Sequence, residues 1–275
     1  MKITLRSIAV LAMFFTPALA AHATPAFVQQ NYATPQTPQS IVAVTYTKAQ
    51  VASDTNVVVV GWNDTAANVV SIADSKGNNY ALALPTYRGN GMSQAIYYAP
   101  SIAAAAVGTN TVTVTFDRPA VYADIRIAEY SGLNGPSMDG TSSGTGSART
   151  ASSGLIQTTA NGDLLVGAGV TSYAFSAAGS GYTKRVITLP DTDILEDRIS
   201  GSPGAYSATA IDNDLWVMQI AAFKVGSGAP DTTPPSVPAN LHATGITNSS
   251  IALAWDPSTD NVGVAGYKLY RDGLQ

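Results

Sequence analysis

The sequence has no cysteine among its 275 residues, and this absence excludes several kinds of chemistry at once. Without thiols the chain forms no disulfide, zinc–thiolate site or iron–sulfur cluster, and it has no cysteine nucleophile. Charged residues are also scarce, at 12%, and the net charge is −4. A nucleic-acid-binding protein needs a basic face that displaces counterions, so nucleic acid is not an expected partner. The 45% of hydrophobic residues nevertheless supply enough apolar side chains for a folded core.

Histidine is almost as scarce as cysteine. The chain has His22 and His242, and residues 24–226 contain none. A Ser–His–Asp triad or a His-ligated zinc or iron site therefore cannot form within that region. Carboxylate chemistry and oxygen-ligated calcium remain as the options for a site there, and no other cofactor is expected.

The amino terminus has the pattern of a secretory signal peptide covering residues 1–23. Lys2 and Arg6 give a positive start, and Ile8 to Phe15 form an apolar stretch that is too short to span a bilayer. Small residues at Ala18 and Ala20 then fit a cleavage site. We therefore expect an exported, extracellular protein without a membrane span after cleavage, the alternative being an uncleaved anchor.

Residues 24–226 are predicted to form one all-β module, an antiparallel β-sandwich of the jelly-roll kind. Val57 to Trp62 is a β-branched run typical of a strand buried on both faces. Val112, Val114 and Phe116 alternate with threonines, as in a strand with one buried face. Such strands recur about every ten residues, which is typical of a sandwich or barrel.

A Gly-, Ser- and Thr-rich stretch interrupts this pattern at residues 136–154. We interpret it as a long surface loop, because strand-like sequence resumes at Leu155. The alternative is a boundary between two smaller domains, each of which would have little core.

The central region resembles β-sandwich modules of exported bacterial multi-modular proteins. The segments that carry the resemblance are residues 58–62, 74–80, 127–132 and 216–219. The resemblance implies the fold and names no activity.

The carboxyl-terminal part carries a more specific resemblance. Residues 227–238 are rich in Pro, Gly and Ser and form a stiff linker. Residues 239–275, with Asn240-Leu241, Ile251 to Trp255 and Gly266 to Gly273, then resemble a bacterial fibronectin type III domain, an immunoglobulin-like sandwich.

In that family the residues matching Leu241, Trp255 and Tyr267 pack in the sandwich core. Alternation agrees, since Ile251, Leu253 and Trp255 share one strand face. A complete domain of this type needs about 90–100 residues and seven strands. The segment accommodates three strands, so we expect an incomplete module belonging to a longer protein.

Aromatic side chains are the first candidates for a binding site. Trp62, Tyr87, Tyr97 and Tyr98 could offer flat faces for stacking on sugar rings. The alternative is that Trp62 and Tyr97 are core residues of their strands, with Tyr87 in an exposed loop.

The densest acidic cluster, residues 191–197, is the second candidate. Asp191, Asp193 and Glu196 resemble the acid-x-Asp-x-x-Glu signature of laminarinase-type glycoside hydrolases, with Asp191 where that family has Glu. On a strand, Asp191 and Asp193 would share one face about 6.6 Å apart, and Glu196 would lie on the other face. Catalysis, calcium binding, and a solvated loop paired with Arg185 or Arg198 remain open.

Glu129 is a further acid on a strand. It lies between Ala128 and Tyr130, and we expect a buried structural carboxylate paired with Arg126 or another base.

The sequence thus favours a non-catalytic role for this segment. We interpret the chain as the amino-terminal part of a secreted bacterial multi-modular protein. It would combine a binding or display sandwich, carbohydrate-binding or adhesive, with a fibronectin-like spacer. Its partner would be a polysaccharide or a cell-surface component. Two alternatives remain: an enzyme using Asp193 and Glu196, and a polysaccharide-degrading glycoside hydrolase whose catalytic domain lies beyond residue 275.

Overall fold

The computed structural model describes residues 24–212, 214–225, 236–247, 250–259 and 267. These residues contain strands and no helix, and all of the strand pairs are antiparallel. The predicted all-β sandwich class is therefore confirmed. The signal peptide and most of the predicted linker lie outside the described residues. The contacts between residues divide the chain into two compact units. The described residues up to Val225 belong to one unit, and those from Ser236 onward belong to the other.

The first half of the larger unit contains eight strands. They are β1 (Ala26–Ala33), β2 (Gln39–Thr45), β3 (Thr55–Trp62), β4 (Val69–Asp74), β5 (Ala81–Gly89), β6 (Met92–Ala99), β7 (Thr111–Ala120) and β8 (Asp124–Ser131). They form a five-stranded sheet in the order β1-β8-β3-β6-β5 and a three-stranded sheet in the order β2-β7-β4. Val112, Val114 and Phe116 of β7 point into the core between the two sheets, as their alternation predicts.

The second half contains ten strands. They are β9 (Ser137–Gly146), β10 (Thr150–Ser152), β11 (Ile156–Gln157), β12 (Leu164–Thr171), β13 (Ala177–Ala178), β14 (Thr183–Ile187), β15 (Ile194–Ile199), β16 (Ala205–Tyr206), β17 (Thr209–Ile211) and β18 (Trp216–Lys224). The sheets are β14-β15-β12-β18-β9, β10-β17-β13 and the short pair β11-β16.

The two halves have the same topology. When the short pair β11 and β16 is set aside, the remaining strands of each half can be counted from one to eight along the chain. Both halves then contain a five-stranded sheet in the order 5-6-3-8-1 and a three-stranded sheet in the order 2-7-4. The single sandwich expected from the sequence is therefore two sandwiches of one design.

The two five-stranded sheets pack against each other, which gives four layers of sheet. Val57 and Val59 of β3 meet Leu164 and Val166 of β12 in the apolar core between them. The other face of each five-stranded sheet packs on its own three-stranded sheet. Strands β3 and β12 are consequently buried at every position, which explains the apolar runs Val57 to Trp62 and Leu164 to Val170 within them.

The prediction of a surface loop at residues 136–154 is wrong. Most of this segment is strand β9, which pairs with β18 along its length. Its small residues are required by close packing rather than by a turn. A Cβ atom at Gly144 would lie 2.2 Å from the carbonyl oxygen of Ser152, and one at Gly146 would lie 2.7 Å from the ring of Trp216. Glycine within a strand often marks such a close approach.

The carboxyl-terminal unit shows one antiparallel pair in its described residues, β19 (Ala239–Ile246) and β20 (Ile251–Asp256). Both lie where the sequence predicts strands. The third expected strand, Gly266 to Gly273, falls outside the described residues except for Tyr267.

Candidate functional site

A buried ionic cluster joins the two halves. Arg126 of β8 is fully buried, and its Nε lies 2.9 Å from Asp124 Oδ1 while its Nη2 lies 3.8 Å from Asp193 Oδ2. Its Nη1 donates hydrogen bonds to the backbone oxygens of Gly169 and Ile194 in the second half. The guanidinium therefore connects strands of both sandwiches through one side chain.

Space for this arginine comes from a glycine in the neighbouring strand. A Cβ atom at Gly61 would lie 3.0 Å from Arg126 Nη2, so a larger residue would press on the guanidinium. Gln94 completes the cluster, accepting a hydrogen bond from Arg126 and donating one to the backbone of Ala168. Burial raises the pKa of Asp193 and of Asp124, and Arg126 opposes that rise in both. This cluster holds the halves in register and has no exposed reactive group.

The three candidate acids do not converge. Asp191 lies in the loop before β15 and accepts a hydrogen bond from Gln36. Asp193 faces Arg126, whereas Glu196 lies on the opposite face of the chain and accepts a hydrogen bond from the Gly179 backbone. The alternation of residues along the strand predicts the opposite faces of Asp193 and Glu196. Asp191 and Asp193 do not share a strand, because β15 begins at Ile194. The cluster is also not a solvated loop, because Asp193, Glu196 and Asp197 are buried.

Within the described part of the chain, no group of three or more acidic or histidine side chains is placed to hold a metal ion. For Asp193 and Glu196 the reason is visible, because the β15 backbone separates the two carboxyls. Burial raises the pKa of Glu196 to about 8, and the nearby Asp197 adds to the rise.

Glu129 does not pair with Arg126, because the two side chains emerge on opposite faces of β8. Glu129 instead accepts a hydrogen bond from Gln29. Asp54, just before β3, lies beside it, and burial together with Glu129 raises the pKa of Asp54 to about 7.

The second sandwich has a similar carboxyl pair, in which one member is at the equivalent place and its partner lies on a different strand. Asp163 stands just before β12, as Asp54 stands before β3, and its neighbour is Asp139 of β9. Burial and Asp139 raise the pKa of Asp163 to about 7. Asp139 is held ionised by Lys224 at 2.8 Å and by the Thr159 backbone. Both pairs are enclosed by the fold and serve as buried structural groups.

The four candidate aromatics do not form one platform. Trp62 is fully buried, with Phe116 edge-on at 5.4 Å. Tyr97 packs on the core of the first sandwich, whereas Tyr98 points to the opposite face of β6 and contacts Phe223 at 5.2 Å. Tyr87 is half-buried in a small separate cluster near one end of the sheets.

A cleft of about 340 Å³ opens between β1 of the first half and β14 of the second, and we call it the edge cleft. Phe27 is partly exposed along it, whereas Tyr130 and Leu164 lie buried beneath its surface. Arg185 and Asp197 stand in it as a bidentate ion pair, with both N–H···O distances at 2.8 Å.

Each group in the edge cleft is held by a neighbour. The Arg185 guanidinium lies over the Phe27 ring at 4.2 Å, and Tyr130 meets that ring edge-on at 5.8 Å. Burial, and then the nearby Asp197 carboxylate, raise the pKa of the Tyr130 hydroxyl well above its usual range.

The equivalent edge on the other side of the molecule is closed. There β5 contacts β9, and a Cβ atom at Gly89 would lie 2.5 Å from Thr145 Oγ1. Asn90, at the tip of the β5–β6 hairpin, donates hydrogen bonds to Thr145 and to the backbone of Gly146. The shared topology therefore leaves a cleft at the β1–β14 edge and a sealed contact at the β5–β9 edge.

Only one contact of the edge cleft is predictable from the sequence. Arg185 stood out as a partner for the acidic cluster, and it does pair with Asp197. Phe27 carried no signal, because its role depends on two sheet edges that lie far apart along the chain.

In the carboxyl-terminal unit, two of the three expected core residues meet. Trp255 and Tyr267 are in edge contact at 5.4 Å, and the Tyr267 hydroxyl accepts a hydrogen bond from the Ser258 backbone. Leu241 is 42% exposed and Tyr267 39%. No helix in the described residues is long and apolar enough to cross a membrane.

Parts of the chain are similar to parts of several bacterial enzymes. The chain is 58% identical over 53 residues to Chitinase Chi52 of Paenibacillus xylanexedens, covering 18% of this chain and 10% of that enzyme. It is 62% identical over 41 residues to Chitinase A1 of Niallia circulans, covering 15% and 6%. It is 32% identical over 136 residues to Exoglucanase B of Cellulomonas fimi, covering 46% and 12%.

No known family profile matches the chain, and no solved structure does. The chain spans about a tenth of the length of these curated relatives or less. It therefore shares stretches of 41 to 136 residues with bacterial enzymes that degrade polysaccharides.

Proposed function

We propose that this chain is a non-catalytic, polysaccharide-binding part of a secreted bacterial multi-modular protein. The observation that carries the proposal is the similarity to bacterial chitinases and an exoglucanase over stretches far shorter than those enzymes. Such a pattern is expected where an accessory module, rather than a catalytic domain, is shared between proteins of related role.

The placement of the acids argues against glycoside hydrolysis by Asp193 and Glu196. Glycoside hydrolysis needs two carboxyls on either side of one glycosidic bond, about 5–10 Å apart across an open site. Asp193 and Glu196 are both buried, and they face opposite sides of one strand. A sugar chain cannot lie between them.

The remaining organisation belongs to the same proposal. Residues 1–23 would direct export, residues 24–226 would form the binding unit, and residues 227–238 would link it to a fibronectin-like spacer at 239–275.

Retention on insoluble polysaccharides tests this function. The purified full chain is mixed with chitin, cellulose and alginate, and the bound fraction is compared with the sugar released into solution. We expect retention on at least one polymer without release of sugar. Turnover at enzymatic rates would overturn the non-catalytic assignment, and absence of retention on all three would favour an adhesive or scaffolding role.

A glycoside hydrolase as the parent protein is the second candidate, favoured by the activities that the relatives' names describe. The gene sequence beyond Gln275 tests it directly. An encoded domain with paired carboxylates would support it, whereas further binding modules alone would count against it.

A further inference from the structure

We propose that an uncharged polysaccharide binds to exposed tyrosine rings on the loops at one end of the two sandwiches. The side chains of Tyr122, Tyr173 and Leu189 form this surface, which we call the tyrosine face. The inference rests on the proposed function, which supplies polysaccharide as the class of partner. It adds the place of binding, the kind of contact and the charge class of the polymer.

The three side chains of the tyrosine face are exposed although they are largely apolar. Tyr122 is 45% exposed, Tyr173 68% and Leu189 67%. A tyrosine combines a flat apolar ring with a hydroxyl that donates and accepts hydrogen bonds. It can therefore stack on the apolar face of a sugar ring and bond to the sugar hydroxyls at the same time.

A turn of the second sandwich brings two members of the face together across the two halves. Thr188, at the start of this turn, donates a hydrogen bond to Asp124, which lies two residues after Tyr122. Leu189 is the next residue of the turn. Because consecutive Cα atoms are 3.8 Å apart, these links place the backbones of Tyr122 and Leu189 within about 20 Å of each other.

The same turn brings Tyr173 to this end of the molecule. The Thr192 backbone donates a hydrogen bond to the Thr188 oxygen at 3.0 Å, which closes the turn. The Thr192 hydroxyl donates to the backbone oxygen of Tyr173 at 2.7 Å. An extended polymer can therefore contact all three side chains of the face at once.

The loops that carry the tyrosine face are ordered before any ligand arrives. The Val121 backbone donates a hydrogen bond to Asp64 and accepts one from the Asn63 backbone. The Thr34 hydroxyl donates to the backbone oxygen of Leu189. A loop that is already ordered loses little conformational entropy on binding.

Two positions in these loops have strained backbone. Tyr122 has a φ of 45° and Thr192 a φ of 61°. Aromatic and β-branched residues rarely adopt this left-handed region, and such strain is concentrated at functional sites. Glycine or asparagine would form the turn at position 122 with less strain, so the tyrosine there is better explained by a use of its ring.

The charge of these loops favours a neutral polymer. Four segments carry or support the face, namely residues 34–38, 121–123, 172–176 and 188–193. Their charged residues are two acids, Asp191 and Asp193, and they contain no basic residue. Asp191 accepts a hydrogen bond from Gln36, and Asp193 is buried against Arg126. An acidic polysaccharide would find no counter-charge in these loops, whereas a neutral one requires none.

Retention on neutral and acidic polymers tests the inference. The purified full chain is mixed with increasing amounts of chitin, cellulose or alginate, and the apparent Kd is derived from the bound fraction. We expect retention on chitin or cellulose, and retention on alginate that is weaker by at least about tenfold. Retention on alginate alone would overturn the tyrosine face.

Tyrosine variants locate the site. The double variant Tyr122→Ala and Tyr173→Ala loses both rings, so its apparent Kd should rise at least about tenfold. Tyr122→Phe combined with Tyr173→Phe keeps both rings and should bind more tightly than the alanine variant. Equally weak binding by the two would overturn ring stacking as the contact. Because Tyr173 is 68% exposed, Tyr173→Ala alone repeats the test if the double variant fails to fold.

Two leucines provide a matched control. Leu189→Ala removes an exposed side chain from the face, and Leu155→Ala removes one that is 70% exposed between β10 and β11. We expect weaker retention for Leu189→Ala and retention like that of the parent for Leu155→Ala. Neither should change thermal unfolding appreciably, because both side chains are exposed. Equal retention of the two variants would remove Leu189 from the face.

The two proposals can be distinguished by their failures. Retention on chitin or cellulose that is undiminished in the tyrosine-to-alanine variants would overturn the tyrosine face and leave the proposed function standing. If the parent chain is retained on none of the three polymers, the proposed function and the tyrosine face are both overturned.

Discussion

At the scale of single residues, Arg126 is the buried charge that contacts both sandwiches. It is fully buried and serves Asp124, Asp193 and two backbone oxygens of the other sandwich. Arg126→Met would leave two buried carboxyls without their counter-charge. We expect a loss of about 3–5 kcal/mol in the free energy of unfolding, measured by urea titration.

The control for this variant is Arg118→Met. Arg118 is 59% exposed and paired with Asp117, so its loss should change stability by less than about 1 kcal/mol. Equal effects of the two substitutions would show that the buried cluster contributes no more than a surface pair.

Glu196 makes stability depend on pH in a defined direction. Burial raises its pKa from 4.5 to about 8, so between these values the folded state holds a proton that the unfolded state releases. Stability from this group is therefore complete below about pH 4.5 and is lost as the pH rises through about 8. We expect the urea concentration at the unfolding midpoint to decrease as the pH is raised from 6 to 9.

Glu196→Gln checks this assignment, because glutamine does not titrate. The fall in the urea midpoint between pH 6 and pH 9 should be smaller in the variant than in the parent chain. The comparison of slopes does not depend on any constant change in stability that the substitution brings. Parallel curves would assign the pH dependence to other buried carboxyls, such as Asp54 and Asp163, whose pKa values are raised to about 7.

At the scale of elements, strand β9 shows how composition misleads. Its Gly, Ser and Thr residues predict a loop, yet it is the edge strand beside β18. The pattern that marks other strands, alternating or continuous β-branched residues, is missing because β9 is packed too closely for large side chains. By contrast, strands β3, β7, β12 and β18 can be predicted from the sequence, because their buried positions are occupied mostly by apolar residues.

Glycine substitution in β9 tests this explanation. Gly144→Ala would place a methyl group 2.2 Å from a backbone oxygen of Ser152, so we expect a loss of about 1–3 kcal/mol in urea titration. Gly201→Ala is the control, because nothing lies within 4 Å of its added methyl group. It should be neutral or slightly stabilising, through the less flexible unfolded chain. If the free energy of unfolding were unchanged in Gly144→Ala, β9 and β10 would not be in close contact.

At the scale of the whole molecule, the contact between the two sandwiches decides whether either half is stable. Val57, Val59 and Ile96 of one half and Leu164 and Val166 of the other lie in a shared core. Each half alone would expose this apolar face to water, and large exposed apolar patches drive association.

Expression of separate halves tests this dependence. Residues 24–133 and 136–225, produced singly, should aggregate or self-associate, and together they should form a soluble one-to-one complex. Size-exclusion chromatography with light scattering distinguishes these outcomes. A monomeric first half with cooperative thermal unfolding would show that the first sandwich folds independently of the second.

The shared topology also explains why the edge cleft could not be read from the chain. Two copies of one strand order, packed through their larger sheets, create two equivalent edges. Asn90 and Thr145 seal one edge, while Arg185, Asp197 and Phe27 line the open one. These residues are distant in sequence, and no local pattern predicts which edge will stay open.

The sequence by itself determined the all-β class, because strand periodicity and dense turn residues are local properties of the chain. It also determined which chemistries are excluded, since these follow from the lack of cysteine and the scarcity of histidine. Only the tertiary structure decided that the central region is two stacked sandwiches, that Asp193 and Glu196 stand apart, and that a cleft forms at one edge. These features depend on how distant strands pair and pack, and pairing between strands far apart in sequence leaves no periodic trace in either one.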